Sequence, residues 1–167
     1  QGGTDNSFGS NTAFTNNQNG VSPGPDYLPS SGSINSNFVG AQAGVSIDWF
    51  NLTLSANSVW GPTGSVGNGA IVSPYTTNVG TDPLYAEGWL TTMANDGLTG
   101  NIYKASTTFS FLDNNLSISP NYVTLASANP VWNGTQEAYV TVNYSIPEVK
   151  GLFLFGVFAY QWTPQIN

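Results

Sequence analysis

From residue 38 onward, apolar and polar side chains alternate in short runs. In VSIDWFNLTLSA (45–56), Phe50, Leu52, Leu54 and Ala56 share one parity, while Trp49, Asn51, Thr53 and Ser55 share the other. In IYKASTTFSFL (102–112), Tyr103, Ala105, Thr107, Phe109 and Phe111 form an apolar row. In EAYVTVNYSI (137–146), Ala138, Val140, Val142, Tyr144 and Ile146 point one way, and Tyr139, Thr141, Asn143 and Ser145 the other. Successive side chains of a strand point to opposite faces, so this period of two predicts strands with one apolar and one polar face. LSIS (116–119) and YVTLAS (122–127) read as further strand segments broken by Pro120, which has no N–H for a ladder.

Gly-, Asn- and Pro-rich turn signals at 61–69, 94–101, 112–115, 128–135 and 146–151 separate these runs. The best helical candidate, PLYAEGWLTTM (83–93), carries Gly88, Thr91 and Thr92, which are poor helix formers. The expectation is an all-β fold, an antiparallel β-sandwich of about seven or eight strands, Ig-like or pilin-like, over residues 38–167.

GLFLFGVFAYQW (151–162) breaks the alternation, because both parities are apolar. Leu152, Leu154 and Phe158 take one side, and Phe153, Phe155 and Val157 the other. The run is too short for a membrane helix, which needs about 20 residues, and Phe, Val, Tyr and Trp favour strand. No membrane span is expected in the chain. A strand apolar on both sides is one covered on both sides, either at the centre of a sheet or along the wall of a groove.

Residues 1–37 have another texture, nearly all Gly, Asn, Ser, Thr, Gln and Pro. Such a segment buries too little apolar area to offset its own ordering entropy. It reads as a polar extended tail and linker, with SPGPDYLPSSG (22–32) semi-rigid. Within it Phe8, Ser10, Thr12 and Phe14 share one parity, so a strand placed somewhere in 4–16 would present two aromatic knobs on one face.

Composition narrows the functions available. Only 7% of residues are charged, against roughly 25% in ordinary soluble proteins. Two lysines, nine acids and no arginine or histidine leave a net charge of −7. No nucleic-acid partner is expected, since phosphate binding needs a basic surface. Without His or Cys, imidazole catalysis, His-ligated metals, thiol nucleophiles and disulfides are all excluded. No cofactor motif is visible. The first residue is Gln1, which we read as the mature start of an exported protein whose leader has been removed.

Four N-x-S/T sequons begin at Asn51, Asn115, Asn133 and Asn143. In a chain with 20 Asn their number means little; their placement carries more weight. Asn51 and Asn143 fall on polar strand parities and Asn115 and Asn133 in turns, so all four are expected to be exposed and open to N-glycans. Glu87 and Glu137, each beside aromatics, form the best carboxylate pair for a glycosidase, although an acid beside an Asn-Gly turn is ordinarily just solvated. Trp49, Trp60 and Trp132 are candidates for a sugar-stacking platform, or for packing under loops or against another chain. DNN, NDG and DPL lack the spacing of a calcium loop. Lys104 and Lys150 leave open an isopeptide crosslink in place of disulfides.

A polar extended N-terminal tail, a linker and a Cys-free β-sandwich rich in amides, hydroxyls and sequons resemble the donor-strand-complemented subunits of archaeal surface filaments, of the thread and bundling-pilus type. That resemblance covers architecture and texture over the whole chain. It implies a non-enzymatic structural subunit at the cell surface, a homopolymer in which a terminal strand of one copy completes the sandwich of the next. It also implies N-linked glycans and roles in adhesion or biofilm formation. On this reading a strand within residues 4–16, with Phe8, Ser10, Thr12 and Phe14, is donated, and Leu152, Phe153, Leu154, Phe155, Val157 and Phe158 line the groove; the C-terminal strand as donor is the reverse possibility. A secreted carbohydrate-binding or glycan-hydrolysing domain, or an S-layer-like or capsid-like surface protein, remain as alternatives.

Overall fold

The computed structural model describes residues 2–5, 32–63, 65, 69–71, 84–91, 93, 98–127 and 129–163. Eight strands follow in order: β1 (Gly2–Asp5), β2 (Gly32–Asn35), β3 (Asn37–Ile47), β4 (Phe50–Trp60), β5 (Gly100–Phe111), β6 (Leu116–Ser127), β7 (Gln136–Ser145) and β8 (Phe153–Trp162). No helix occurs among the described elements. The short β1 and β2 pair antiparallel as a separate two-stranded sheet, Gly2 opposite Asn35. The other six form one antiparallel sheet in the order β3-β4-β5-β6-β7-β8, an up-and-down meander in which every strand lies beside its sequence neighbour.

Three tight connections close the same end of this sheet, and their backbone explains their sequences. Asp48 (φ 41°) and Trp49 form a two-residue turn between β3 and β4. Leu112, Asp113 and Asn114 all have positive φ in the turn between β5 and β6, a conformation that Asn and Asp tolerate best. Gly151 (φ 84°) closes the turn into β8. Trp49 therefore belongs to a turn and not, as its parity indicates, to the polar row of a strand. Its ring stacks on Phe109 at 6.1 Å, and its carbonyl accepts the Ser110 amide at 2.8 Å.

Pro120 does not break a strand. β6 runs through it, and the pairing on either side, Ser106 with Asn121 and Phe109 with Ile118, keeps one register. The Thr107 hydroxyl donates to the Pro120 carbonyl at 3.2 Å, and the Thr108 and Ser119 hydroxyls pair at 2.9 Å. Side-chain hydrogen bonds thus bridge the two steps where the proline has no ladder donor.

The core sits on one face, at the end of the sheet away from the tight turns. Val59, Ile102, Val123, Leu125 and Tyr139 project from the strands against Ile71, Leu84, Ala86, Met93 and Leu98 of the long connection between β4 and β5. Every fully buried strand residue from β3 to β8 points to this face.

Candidate interaction surface

The register places the three apolar rows read from the sequence on a single face of the sheet. Crossing from β3 to β8, one row reads Ile47, Phe50, Phe109, Ile118, Val142, Gly156. The next reads Val45, Leu52, Thr107, Pro120, Val140, Phe158, and the one after it Ala43, Leu54, Ala105, Tyr122, Ala138, Tyr160. No Asp, Glu, Lys or Arg of the six strands lies on this face; Lys104 and Glu137 project from the other one.

None of these apolar residues is fully buried. Leu54 is 56% exposed, Tyr160 63% and Phe158 76%. With strands about 4.8 Å apart and a rise of about 3.4 Å per residue, the apolar face measures about 29 Å by 27 Å. Soluble monomers rarely expose contiguous apolar patches above about 300–600 Å². The relief is uneven. On the β3–β5 side Ala41, Ala43, Ala56 and Ala105, rimmed by Leu54 and Tyr103, form a hollow of about 480 Å³. On the β8 side Phe158 and Tyr160 stand proud, and Tyr160 stacks on Trp162 at 5.6 Å.

β8 explains the run that is apolar on both parities. It is a terminal strand of the six, pairing only with β7 among the described residues. Of the two places its sequence suggests, the centre of a sheet is therefore not the one it takes. Leu154 and Phe158 lie on the apolar face; Phe153, Phe155 and Val157 lie on the opposite one, where Trp89 packs on Phe155 at 5.9 Å. Leu152 sits in the turn before the strand, its amide donating to Val149 at 3.0 Å. Phe153, Leu154, Phe155 and Phe158 are all exposed.

The opposite face is divided. From β3 to β7 its half near the tight turns carries small polar side chains, among them Ser46, Asn51, Thr108, Ser119, Thr141 and Asn143, and on β8 it ends in Phe153, Phe155 and Val157. Its other half lies under the β4–β5 connection, which polar anchors hold in place. Glu137, with no exposed surface, accepts the amides of Trp89 (2.8 Å), Leu90 (3.0 and 3.1 Å) and Thr91 (2.7 Å). A Cβ on Gly88 would lie 2.2 Å from Glu137 Oε2, so the carboxylate fits only because residue 88 has no side chain. Asn57 Oδ1 accepts the Ala86 amide at 2.6 Å, Gln161 Nε2 donates to Thr91 Oγ1 at 2.8 Å, and Glu87 Oε2 accepts the Met93 amide at 2.8 Å.

Glu87 and Glu137 thus meet at one loop–sheet junction, but as clasps for main-chain amides, and Glu137 is closed off from any solvent-borne substrate. Lys104 donates to the Glu87 carbonyl at 3.0 Å and lies 5.6 Å over the Tyr139 ring. The tryptophans do not make one platform. Trp49 and Trp60 lie at opposite ends of β4, more than about 30 Å apart, and Trp132 packs against the core.

Among the sequons, Asn51 and Asn143 do lie on the polar half-face, yet both are half-buried, as is Asn115, whose Nδ2 donates to the Leu112 carbonyl at 2.8 Å. Only Asn133, in the β6–β7 turn, is exposed. The candidate donor residues Phe8, Ser10, Thr12 and Phe14 lie outside the described residues. No helix among the described residues is long and apolar enough to cross a membrane. Sequence reading missed the clasp, because nothing local to Glu137 distinguishes it from a solvated acid beside a turn; its partners are nearly fifty residues away. The chain matches no family model, no curated protein and no solved structure.

Proposed function

We propose that this chain is a structural subunit of an extracellular filament, a homopolymer assembled by strand exchange between neighbouring copies and serving adhesion or biofilm formation. The observation that carries this reading is the six-stranded sheet itself, whose apolar face lacks a second layer among the described residues. An exposed apolar sheet face and an unpaired edge strand both favour the addition of further strands. Among the described residues β8 supplies such an edge, with Phe, Leu and Val on both sides, so a strand docked there meets apolar neighbours whichever way its own side chains point.

The seven- or eight-stranded sandwich would on this account exist in the assembly, with strands contributed by another copy. A strand within residues 4–16, beyond the β1 pairing of Thr4 and Asp5 and carrying Phe8 and Phe14, is the proposed donor, and Leu152, Phe153, Leu154, Phe155, Val157 and Phe158 the proposed acceptor wall. N-linked glycans at Asn51, Asn115, Asn133 and Asn143 would coat the polar surface left outside. Deleting residues 1–20 tests the reading. The full chain should form filaments and the shortened chain should not; filaments that persist after the deletion would remove the N-terminal tail as donor.

A further inference from the structure

One donated strand does not cover the apolar face. It adds about 5 Å of width to a surface about 29 Å across. We infer that the face is covered by the same face of a second copy, forming a two-layer sandwich whose two-fold axis runs parallel to the strands between β5 and β6. The inference rests on the reading of the chain as a self-assembling subunit and names the contact that reading leaves unassigned.

Three observations support this occupant. The first is area: the face offers about 700–800 Å² per copy, which is the size of a standard stable interface at about 800 Å² per partner. The second is relief. A two-fold axis along the strands lays β8 of one copy over β3 of the other without changing rows. Tyr160 then faces Ala43, at the β3 rim of the alanine hollow, and Phe158 faces Val45 beside it, so each copy sets its prominent tyrosine against the other's hollow. An axis across the strands would instead set Phe158 and Tyr160 against β8 of the partner and leave both hollows empty. The third is charge: a chain of net charge −7 places no charged strand residue on this face, so two copies approach without opposing like charges in the contact. Aligned packing at about 10 Å between sheets is the ordinary geometry of a sandwich. Hydrocarbon is a poorer cover, because β3 and β8 have unpaired outer edges among the described residues, and lipid does not satisfy main-chain groups.

The chain has no cysteine, so introduced thiols are unique. Within one copy positions 47 and 156 lie in one row on opposite edges of the sheet, about 24 Å apart; between copies they face each other across about 10 Å. Ile47 is exposed and a Cβ at Gly156 meets nothing within 4 Å, so cysteines there leave the core of each copy, Tyr160 and the alanine hollow intact. The full-length variant I47C/G156C, treated with a bismaleimide of about 10 Å span, matched to that sheet spacing, should give a closed covalent dimer on a denaturing gel. Its yield should be at least tenfold that from I47C or G156C alone. Circular dichroism checks that strand content is unchanged.

Equal yields from the single variants, a ladder of higher multimers, or no covalent dimer would each overturn the inference. The last is the outcome if residues 6–31 of the same chain, or a lipid surface, covers the face. Filaments without the covalent dimer would leave strand exchange standing and remove this contact, whereas a covalent dimer without filaments would do the reverse.

Discussion

The Glu137 carboxylate accepts the Thr91 amide at 2.7 Å, joining the start of β7 to a loop 46 residues earlier in the chain. Both residues are fully buried, and the same carboxylate takes the amides of Trp89 and Leu90. Among the described residues, those of the loop from 86 to 91 are attached to the sheet through this side chain, through Gln161 opposite it on β8, and through Asn57 on β4 and Lys104 on β5.

Replacing Glu137 by Ala should therefore release the loop before it unfolds the sheet. A buried donor left without its charged acceptor costs about 1–3 kcal/mol or more, so a loss of about 3 kcal/mol is expected in urea unfolding. Hydrogen exchange should accelerate at residues 84–91 and 93 while the amides of β5 and β6 stay protected. Equal acceleration in loop and strands would show that the clasp is not local.

Gly88→Ala tests the same junction from the other side. The added methyl would lie 2.2 Å from Oε2 and 2.9 Å from Cδ of Glu137, so the carboxylate must leave its cradle or the loop must lift. Overpacking of this kind costs about 1–3 kcal/mol, read as a shift in the urea midpoint. Combined with Glu137→Ala, the penalty of the alanine at 88 should largely vanish.

Thr107 and Pro120 form an independent test in the middle of the sheet. Thr107→Val removes the hydroxyl that reaches the Pro120 carbonyl and should cost about 1 kcal/mol. Pro120→Val restores an N–H opposite Thr107 and should recover about 0.5–1 kcal/mol. A destabilising Pro120→Val would mean that the register on either side depends on the proline.

These elements divide clearly into what the sequence discloses and what it does not. The rows Phe50–Ala56, Tyr103–Phe111 and Ala138–Tyr144 were readable, because parity is a local property and fixes which side chains share a face. Which face is covered was not readable, because that depends on partners remote in sequence. The row containing Glu137 and Tyr139 looked like the solvated side and is the one under the loop. The loop's own core residues, Ile71, Leu84, Ala86, Met93 and Leu98, have no period and are scattered among Gly, Thr and Asn. Trp49 was misplaced because a two-residue turn does not interrupt parity visibly, and Pro120 because a side-chain hydroxyl makes up for the missing ladder donor.

Glycan occupancy should follow exposure. In protein purified from a host that glycosylates its exported proteins, glycopeptide mass spectrometry should find Asn133 occupied ahead of the half-buried Asn51, Asn115 and Asn143. An intact mass equal to the bare 17.6 kDa chain would remove glycans from the account.

Negative-stain electron microscopy of the purified full-length protein tests the central claim most directly. An apolar face of this size and a β8 edge unpaired among the described residues should be completed by other copies, and the expected image is of long filaments of uniform width. A field of discrete single-chain particles would contradict the assignment of this protein as a filament subunit.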